Sequence, residues 1–345
     1  MTTRPLSATR EASPNGDLTD TESGMPIGVD HAPGPGMRVS SRSIQIALGC
    51  LWVLDGLLQL QAPMFGRGFI DAINYNDVMS QPAGVAHFLV SVVALVEPRL
   101  LLWNPLFAAT QIAIGLGLLY RPTVRPAIVV SIAWALVVWV FGEGLGGLFT
   151  GLATLLGGAP GPVLLYPLIG LIAWPVANAP GHSGHWRRAE PLGKHGARIS
   201  WAGLWVGGAI LQVQPVYPFT AVLASTISMN LANGEPALLA SMDTVFTRIV
   251  IAIGDPLTVV LALLEAAIGL AVLRGFHTRP FLGLGIAVSI LFWIVGQNFG
   301  GILTGQSTDP GSGPLFVLLA LALYPAPKAA LGQESSHLYA AEVAP

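Results

Sequence analysis

The sequence predicts an all-α integral membrane protein, with about eight transmembrane helices arranged as two parallel four-helix-bundle repeats. Three observations carry that reading. Of 345 residues, only 10% are charged against 53% hydrophobic, and the mean hydropathy is +0.66. Soluble domains carry about 25% charged residues, so a chain this poor in charge cannot cover its surface with polar groups and needs lipid as solvent. Several apolar stretches also approach or reach the ~20 residues that cross a hydrocarbon core. Finally, the chain nearly repeats itself. "WVLDGLLQLQAP" (52–63) matches "WVGGAILQVQP" (205–215), and "IGLGLLYRPTVRP" (114–126) matches "IGLAVLRGFHTRP" (268–280) at an offset of 154. The same offset places "VFGEGLGGLFTG" (140–151) on "VGQNFGGILTG" (295–305). The correspondence covers about 130 residues per half, as a duplication would leave.

In chain order, residues 1–42 read as a polar, disordered tail rich in Ser, Thr, Pro and Gly, without the apolar core of a signal peptide. The first module covers 43–178, with spans expected near 44–61, 100–120, 126–144 and 161–178. Between its first two spans, "PAGVAHFLVSVVALVEP" (82–98) is short between its prolines and reads as an interfacial or re-entrant helix covered by protein. A polar, basic linker follows at 179–196. The second module covers 197–328, with spans near 198–214, 250–273, 280–298 and 313–327, and a second polar tail occupies 329–345.

Charge placement orients these spans. Four spans per half put both tails, the linker and the loops after each second span on one side. That side carries Arg38, Arg42, Arg121, Arg125, Arg187, Arg188, Lys194, Arg198, Arg274, Arg279 and Lys328, whereas the other carries Arg67, Arg99 and Arg248. The positive-inside rule assigns the basic side to the cytoplasm, so the expected location is the cytoplasmic (plasma) membrane with both termini inside. An even number of spans per half makes the repeats parallel rather than inverted.

Several classes drop out. There is no basic stripe with interleaved aromatics, so nucleic acid is not an expected partner; the lipid bilayer is. Cys50 is the single cysteine, which excludes an intrachain disulfide or CxxC pair and reads as a small buried hydrophobe. His182, His185 and His195 lie in a Gly/Pro-broken linker, and His87 and His277 form no obvious pair on facing spans, so no metal site is expected. No Walker, GxSxG, HExxH or dinucleotide fingerprint stands in its required context.

Ionisable residues inside spans are costly and mark functional sites by default. Asp55, Glu143 and Glu265 qualify, with Asp255 at a span edge. Each of the first three has a neutral counterpart in the other half: Asp55 near Gly208, Glu143 at Gln297, Glu265 at Gln111. These three are the candidate proton-exchanging acids. Glu143 has a plainer reading, as an interfacial acid bonded to amides of a glycine turn. Asp55 has one too, accepting hydrogen bonds from Gln59, Gln61, Gln212 and Gln214 or standing neutral. Candidate binding groups are Gln59, Gln111, Gln212, Gln297, Asn298, Gly144, Gly146 and Gly300. The repeated glycines fit small-xxx-small helix packing in lipid, a tight turn needing positive φ, or a nest of backbone amides for an ion. Asp309, in "STDPGSGP" (307–314), reads as a turn residue.

At "LLEAAIGLAVLRGFHTRPFLGLGIAVSI" (263–290), the chain resembles the DoxX/DoxD-like family of small four-helix membrane proteins. An acid opens a glycine-containing apolar run, which a short basic Thr-Arg turn and another apolar helix follow. "IAIGLGLLYRPTVRPAIVV" (112–130) is a weaker copy with Gln111 in place of the acid. The resemblance implies two fused modules and a redox-associated protein, with quinone as a cofactor or substrate and a redox protein as partner, although the motifs themselves show no cofactor. The functions left open are a quinone- or lipid-interacting subunit of a membrane oxidoreductase, a small-solute or ion/proton transporter or binding protein with a path at the repeat interface, and a membrane scaffold without catalysis.

Overall fold

The computed structural model describes residues 39–66, 69–70, 78, 80–175, 191–214, 219–232 and 236–325, which belong to one compact unit. The expected tail at 329–345, nearly all of 1–42 and most of the linker lie outside the described residues.

Among the described residues there are helices and turns and no strand. The α-helices are α1 Ser41–Leu58, α2 Ala83–Val96, α3 Leu100–Leu119, α4 Val124–Phe141 and α5 Leu165–Ile172, then α6 Gly193–Gln212, α7 Phe219–Ala232, α8 Ala237–Ile253, α9 Asp255–Arg274, α10 Thr278–Val295 and α11 Ser312–Leu323. Five stretches are long and apolar enough to cross a membrane: Ser41–Leu58, Ala83–Leu119, Arg121–Phe141, Asp255–Arg274 and Thr278–Val295. The segments 162–172 and 312–323 are apolar but shorter, and α6 opens on the polar Lys194, His195 and Arg198. The surface is apolar to match: Leu101 is 75% and Leu238 74% exposed. Leucine so exposed across many helices is what a lipid-facing surface requires.

Local signals set the helix ends. The Ser40 side chain accepts from Ser43 N at 3.0 Å and caps α1. Pro98, which has no N–H to give, sits in the 3-10 turn 97–99 that separates α2 from α3. The span expected at 250–273 instead starts afresh at Asp255. Gly254, at φ 74°, ends α8, and Asp255–Pro256 opens α9 with an acid and a proline in the first turn. Arg42 reaches the last carbonyls of α3, donating to Leu118 O at 3.0 Å and to Leu119 O.

Packing centres on two helix pairs, α1 with α3 and α6 with α9. Small residues bring α1 and α3 together. A Cβ on Gly49 would lie 2.9 Å from Gly115 O, and one on Gly56 would lie 2.8 Å from Ala108 O. Helix–helix packing through glycine is therefore used here, whereas the stretch 142–151, where the sequence offered it, forms a turn. The buried stripe of α1 runs through Ile44, Leu48, Trp52 and Asp55. That stripe leaves Cys50 on the other face, where it is exposed, contrary to the expectation of a buried thiol.

The repeated glycine line is a left-handed turn. Gly144, Leu145, Gly146 and Gly147 have φ of 50°, 61°, 62° and 66°, and Asn298, Phe299, Gly300 and Gly301 have 44°, 55°, 69° and 70°. Glycine is required at Gly146 and Gly300 for room as well: a Cβ would lie 1.8 Å from Pro160 O in one turn and 2.2 Å from the Pro310 carbonyl carbon in the other. Matching bonds surround the two turns. Trp139 Nε1 donates to Pro160 O at 2.8 Å and Trp293 Nε1 to Pro310 O at 2.6 Å. Thr150 and Thr304 hydroxyls donate to Gly147 O and Gly301 O, both at 2.7 Å. Arg125 donates to Pro175 O at 3.0 Å, and Arg279 to Pro325 O at 3.3 Å.

Candidate functional site

A cavity of about 330 Å³ lies among α1, α2, α3, α4 and the start of α5. Four residues singled out from sequence line it: Asp55, Gln59, Gln111 and Glu143. Three more polar side chains join them, Tyr166, Thr308 and Asp309. Most of the wall is apolar and rich in rings, from Trp52, Phe69, Phe107, Trp134, Phe141 and Tyr166. None of the described lining residues is basic; Arg67, two positions before Phe69, lies outside the described residues.

Asp55 enters from the last turn of α1, on the stripe that also buries Trp52. Trp52 fixes the floor, its indole N–H donating to Ser131 Oγ at 3.0 Å and its ring lying 4.4 Å from that of Tyr166. The Tyr166 hydroxyl lies against the Asp55 carboxyl, and no other hydrogen-bond partner meets the phenol or Asp55 Oδ1 among the described residues. Gln111 Oε1, from α3, is also without one. Gln59 is engaged: its amide donates to Asn104 Oδ1, and Asn104 Nδ2 returns a bond to Gln59 O at 2.9 Å.

Glu143 stands two residues beyond α4. Its Oε1 accepts from Val163 N at 3.0 Å, in the turn that leads into α5. Gln297 does the same work past α10, its Oε1 accepting from Ser312 N at 2.8 Å and facing the Ser312 hydroxyl at 3.1 Å. A side-chain oxygen satisfies a free amide at a helix start in both places, and an amide oxygen is sufficient for it. Glu143 therefore brings a carboxyl to the cavity where the second turn has the amide of Gln297.

Asp309 comes from the opposite half of the chain, on the loop before α11. Its Oδ1 accepts from Gly311 N at 2.7 Å and its Oδ2 from Thr308 Oγ1 at 3.2 Å, a turn role that the sequence indicated. The same carboxyl also lines the cavity. Burial pushes it above the ordinary carboxylate range, and the bonds from Gly311 and Thr308 oppose that shift. Neither Asp309 nor Tyr166 was a sequence candidate for the site. The available signal was the unequal repeat: Ala159 precedes the proline equivalent to Pro310, and Phe316 packs on Trp205 at 5.7 Å as Tyr166 does on Trp52.

The remaining candidates lie elsewhere. Glu265 does not line the cavity; it is fully buried on α9 near Gly208 of α6. Gln212 is buried on α6, and Asn298 is buried in the second glycine turn. Gly144, Gly146 and Gly300 shape the turns, and Gly144 O accepts from Gln81 Nε2 at 2.7 Å. Asp255 Oδ1 accepts from Thr220 N at 3.3 Å and Thr220 Oγ1 at 2.6 Å, tying α7 to the start of α9. Among the described residues no group of three metal-ligating side chains occurs. Comparisons with family models, with curated proteins and with solved structures found no match, so the resemblance to the DoxX/DoxD-like family rests on the residues quoted for it.

Proposed function

We propose that this is a solute-binding membrane protein, built as two parallel four-helix modules with eight spans and cytoplasmic tails, whose first module takes a small organic cation. The observation that carries the reading is the convergence of Asp55, Glu143 and Asp309 on one ring-lined cavity with no basic side chain among its described residues. A carboxylate at membrane depth, such as Asp55 in α1, must be balanced by a proton or by a cation, and Asp309 adds a second carboxyl from the loop before α11. Aromatic faces attract an ammonium group through the ring quadrupole, and about 330 Å³ is within the size range of small-ligand sites. Support for the architecture comes from the paired glycine turns and the matching Trp–Pro and Arg–Pro bonds. The short apolar segments 162–172 and 312–323, with α6, would supply the remaining spans.

Benzyltrimethylammonium, whose charge does not vary with pH, is the probe. Equilibrium binding to the purified chain is expected at one per chain, weakened at least tenfold by Asp55→Asn. Unchanged affinity in that variant, or no binding at all, rejects the reading. A quinone-type ring is the second reading, favoured by the facing Tyr166 hydroxyl and Asp55 carboxyl, a pair suited to proton exchange at a carbonyl. Stoichiometric quinone in the organic extract of the gently purified protein, with no binding of the cation, selects it.

A further inference from the structure

The second half repeats the helix pair that carries the cavity, yet only about 10 Å³ remains open there, between Leu155, Trp205, Ser289, Phe292, Gln297, Ser312 and Phe316. Leu155 is one of the side chains that fill the space. It belongs to the first half, on the chain between the glycine turn and α5, and it inserts across α6. A Cβ on Gly208 would lie 2.1 Å from Leu155 Cδ1 and 3.2 Å from Glu265 Oε2. Gly208 is the counterpart of Asp55, so an apolar side chain from the other half fills the space that Asp55 takes in the first.

Around that plug stands polar chemistry with no evident structural task. Glu265 is 0% exposed, and neither carboxyl oxygen has a hydrogen-bond partner among the described residues. Both amide atoms of the buried Gln212, one turn beyond Gly208, lack partners as well, and so does the Thr258 hydroxyl on the α9 face that carries Glu265. In the first half the equivalent pair, Gln59 and Asn104, is bonded. Buried polar atoms left unsatisfied cost free energy and call for an explanation. A helix pair that needed only packing would carry apolar residues here.

We infer that the second half holds a second site for the same class of ligand, a small organic cation, with Glu265 as its carboxylate and Leu155 of the first half as the plug that closes it. The ligand class rests on the reading of the first cavity; the existence of the closed site rests on Leu155, Gly208 and Glu265.

Shortening the plug in the full chain tests this. With benzyltrimethylammonium as the probe, Leu155→Ala is expected to raise the stoichiometry from one to two per chain. Adding Glu265→Gln returns it to one, and Leu155→Ala with Asp55→Asn leaves one site. Retained first-site binding reports that the variant is folded. A stoichiometry that stays at one in Leu155→Ala overturns the second site while leaving the first reading intact. No binding by the wild-type chain rejects the first reading instead, and binding by Leu155→Ala that Glu265→Gln removes would then still support the second site. Should Leu155→Ala not fold, Leu155→Val with an apolar carbodiimide gives a second readout. Labelling of Glu265, read by peptide mass spectrometry, is expected to rise at least severalfold over wild type, and equal labelling overturns the inference.

Discussion

Asp309 serves a turn and a cavity with one carboxyl, and the two tasks pull its charge in opposite directions. The Gly311 amide and Thr308 hydroxyl favour the ionised form, but burial outweighs them and raises its pKa. A carboxyl whose folded pKa lies above its unfolded value stabilises the fold at low pH. That contribution is lost as pH rises from the ordinary value of 3.8 through the raised one. Thermal unfolding of the ligand-free protein should therefore show Asp309→Asn flattening the decline with pH; identical curves for variant and wild type would contradict the assignment. A bound cation favours the ionised form, so affinity for a permanently charged probe should rise with pH over the same window. Asp55 and Gln111 were legible in the sequence because a polar group in an apolar run is costly wherever it lies. Asp309 was not, because an aspartate before Pro-Gly looks the same whether its outer oxygen meets water or a cavity. Tyr166 was missed for a similar reason, its hydroxyl having meaning only beside Asp55 across the fold.

The glycine turns show how one element answers two demands. Each must reverse the backbone with positive φ and let a proline carbonyl approach the turn. Gly146→Ala should be far more damaging than Gly147→Ala. Both incur the ~1–2 kcal/mol of a left-handed non-glycine residue, but at 146 the new Cβ also meets Pro160 O at 1.8 Å, whereas at 147 the nearest atom is 3.8 Å away. Equal losses of thermal stability in the two variants would remove the packing argument. The capping role makes a second ranking. Glu143→Gln keeps the acceptor for Val163 N, as Gln297 does for Ser312 N, and should be the milder of two changes. Glu143→Leu removes the acceptor and should cost about 1 kcal/mol. The sequence pointed to the turn through its duplicated line, yet four-residue glycine spacing is equally the signature of helix packing. Backbone φ separates the two, and no residue pattern encodes it unambiguously. Helix packing through glycine occurs instead at Gly49, Gly56 and Gly115, which are spaced more widely and on two different helices.

At the scale of the whole molecule the two halves exchange parts. Gln61 Nε2 donates to Ser307 O and Gln214 Nε2 to Ala153 O, each at 3.4 Å, each from just beyond the first helix of one half to the loop before the last helix of the other. Asp309 crosses one way into the first cavity, and Leu155 crosses the other way against Gly208. Reciprocal contact of this kind is the pattern of a two-fold interface, in which each partner presents the same patch to the other. The two contacts are unequal in kind: the loop of the second half brings a carboxyl to the open cavity, and the first half brings a leucine against Gly208. On the proposed reading, neither half holds a complete site by itself. Cutting the chain within 179–190 and producing the halves together should restore binding of benzyltrimethylammonium, whereas the first half alone should bind it weakly or not at all for want of the loop that carries Asp309. The pair reconstituted with Asp309→Ala in the second half should behave like the first half alone if the carboxyl is what that loop contributes. Full affinity from the isolated first half would mean that the cavity is self-sufficient and that the crossing loops only hold the halves together.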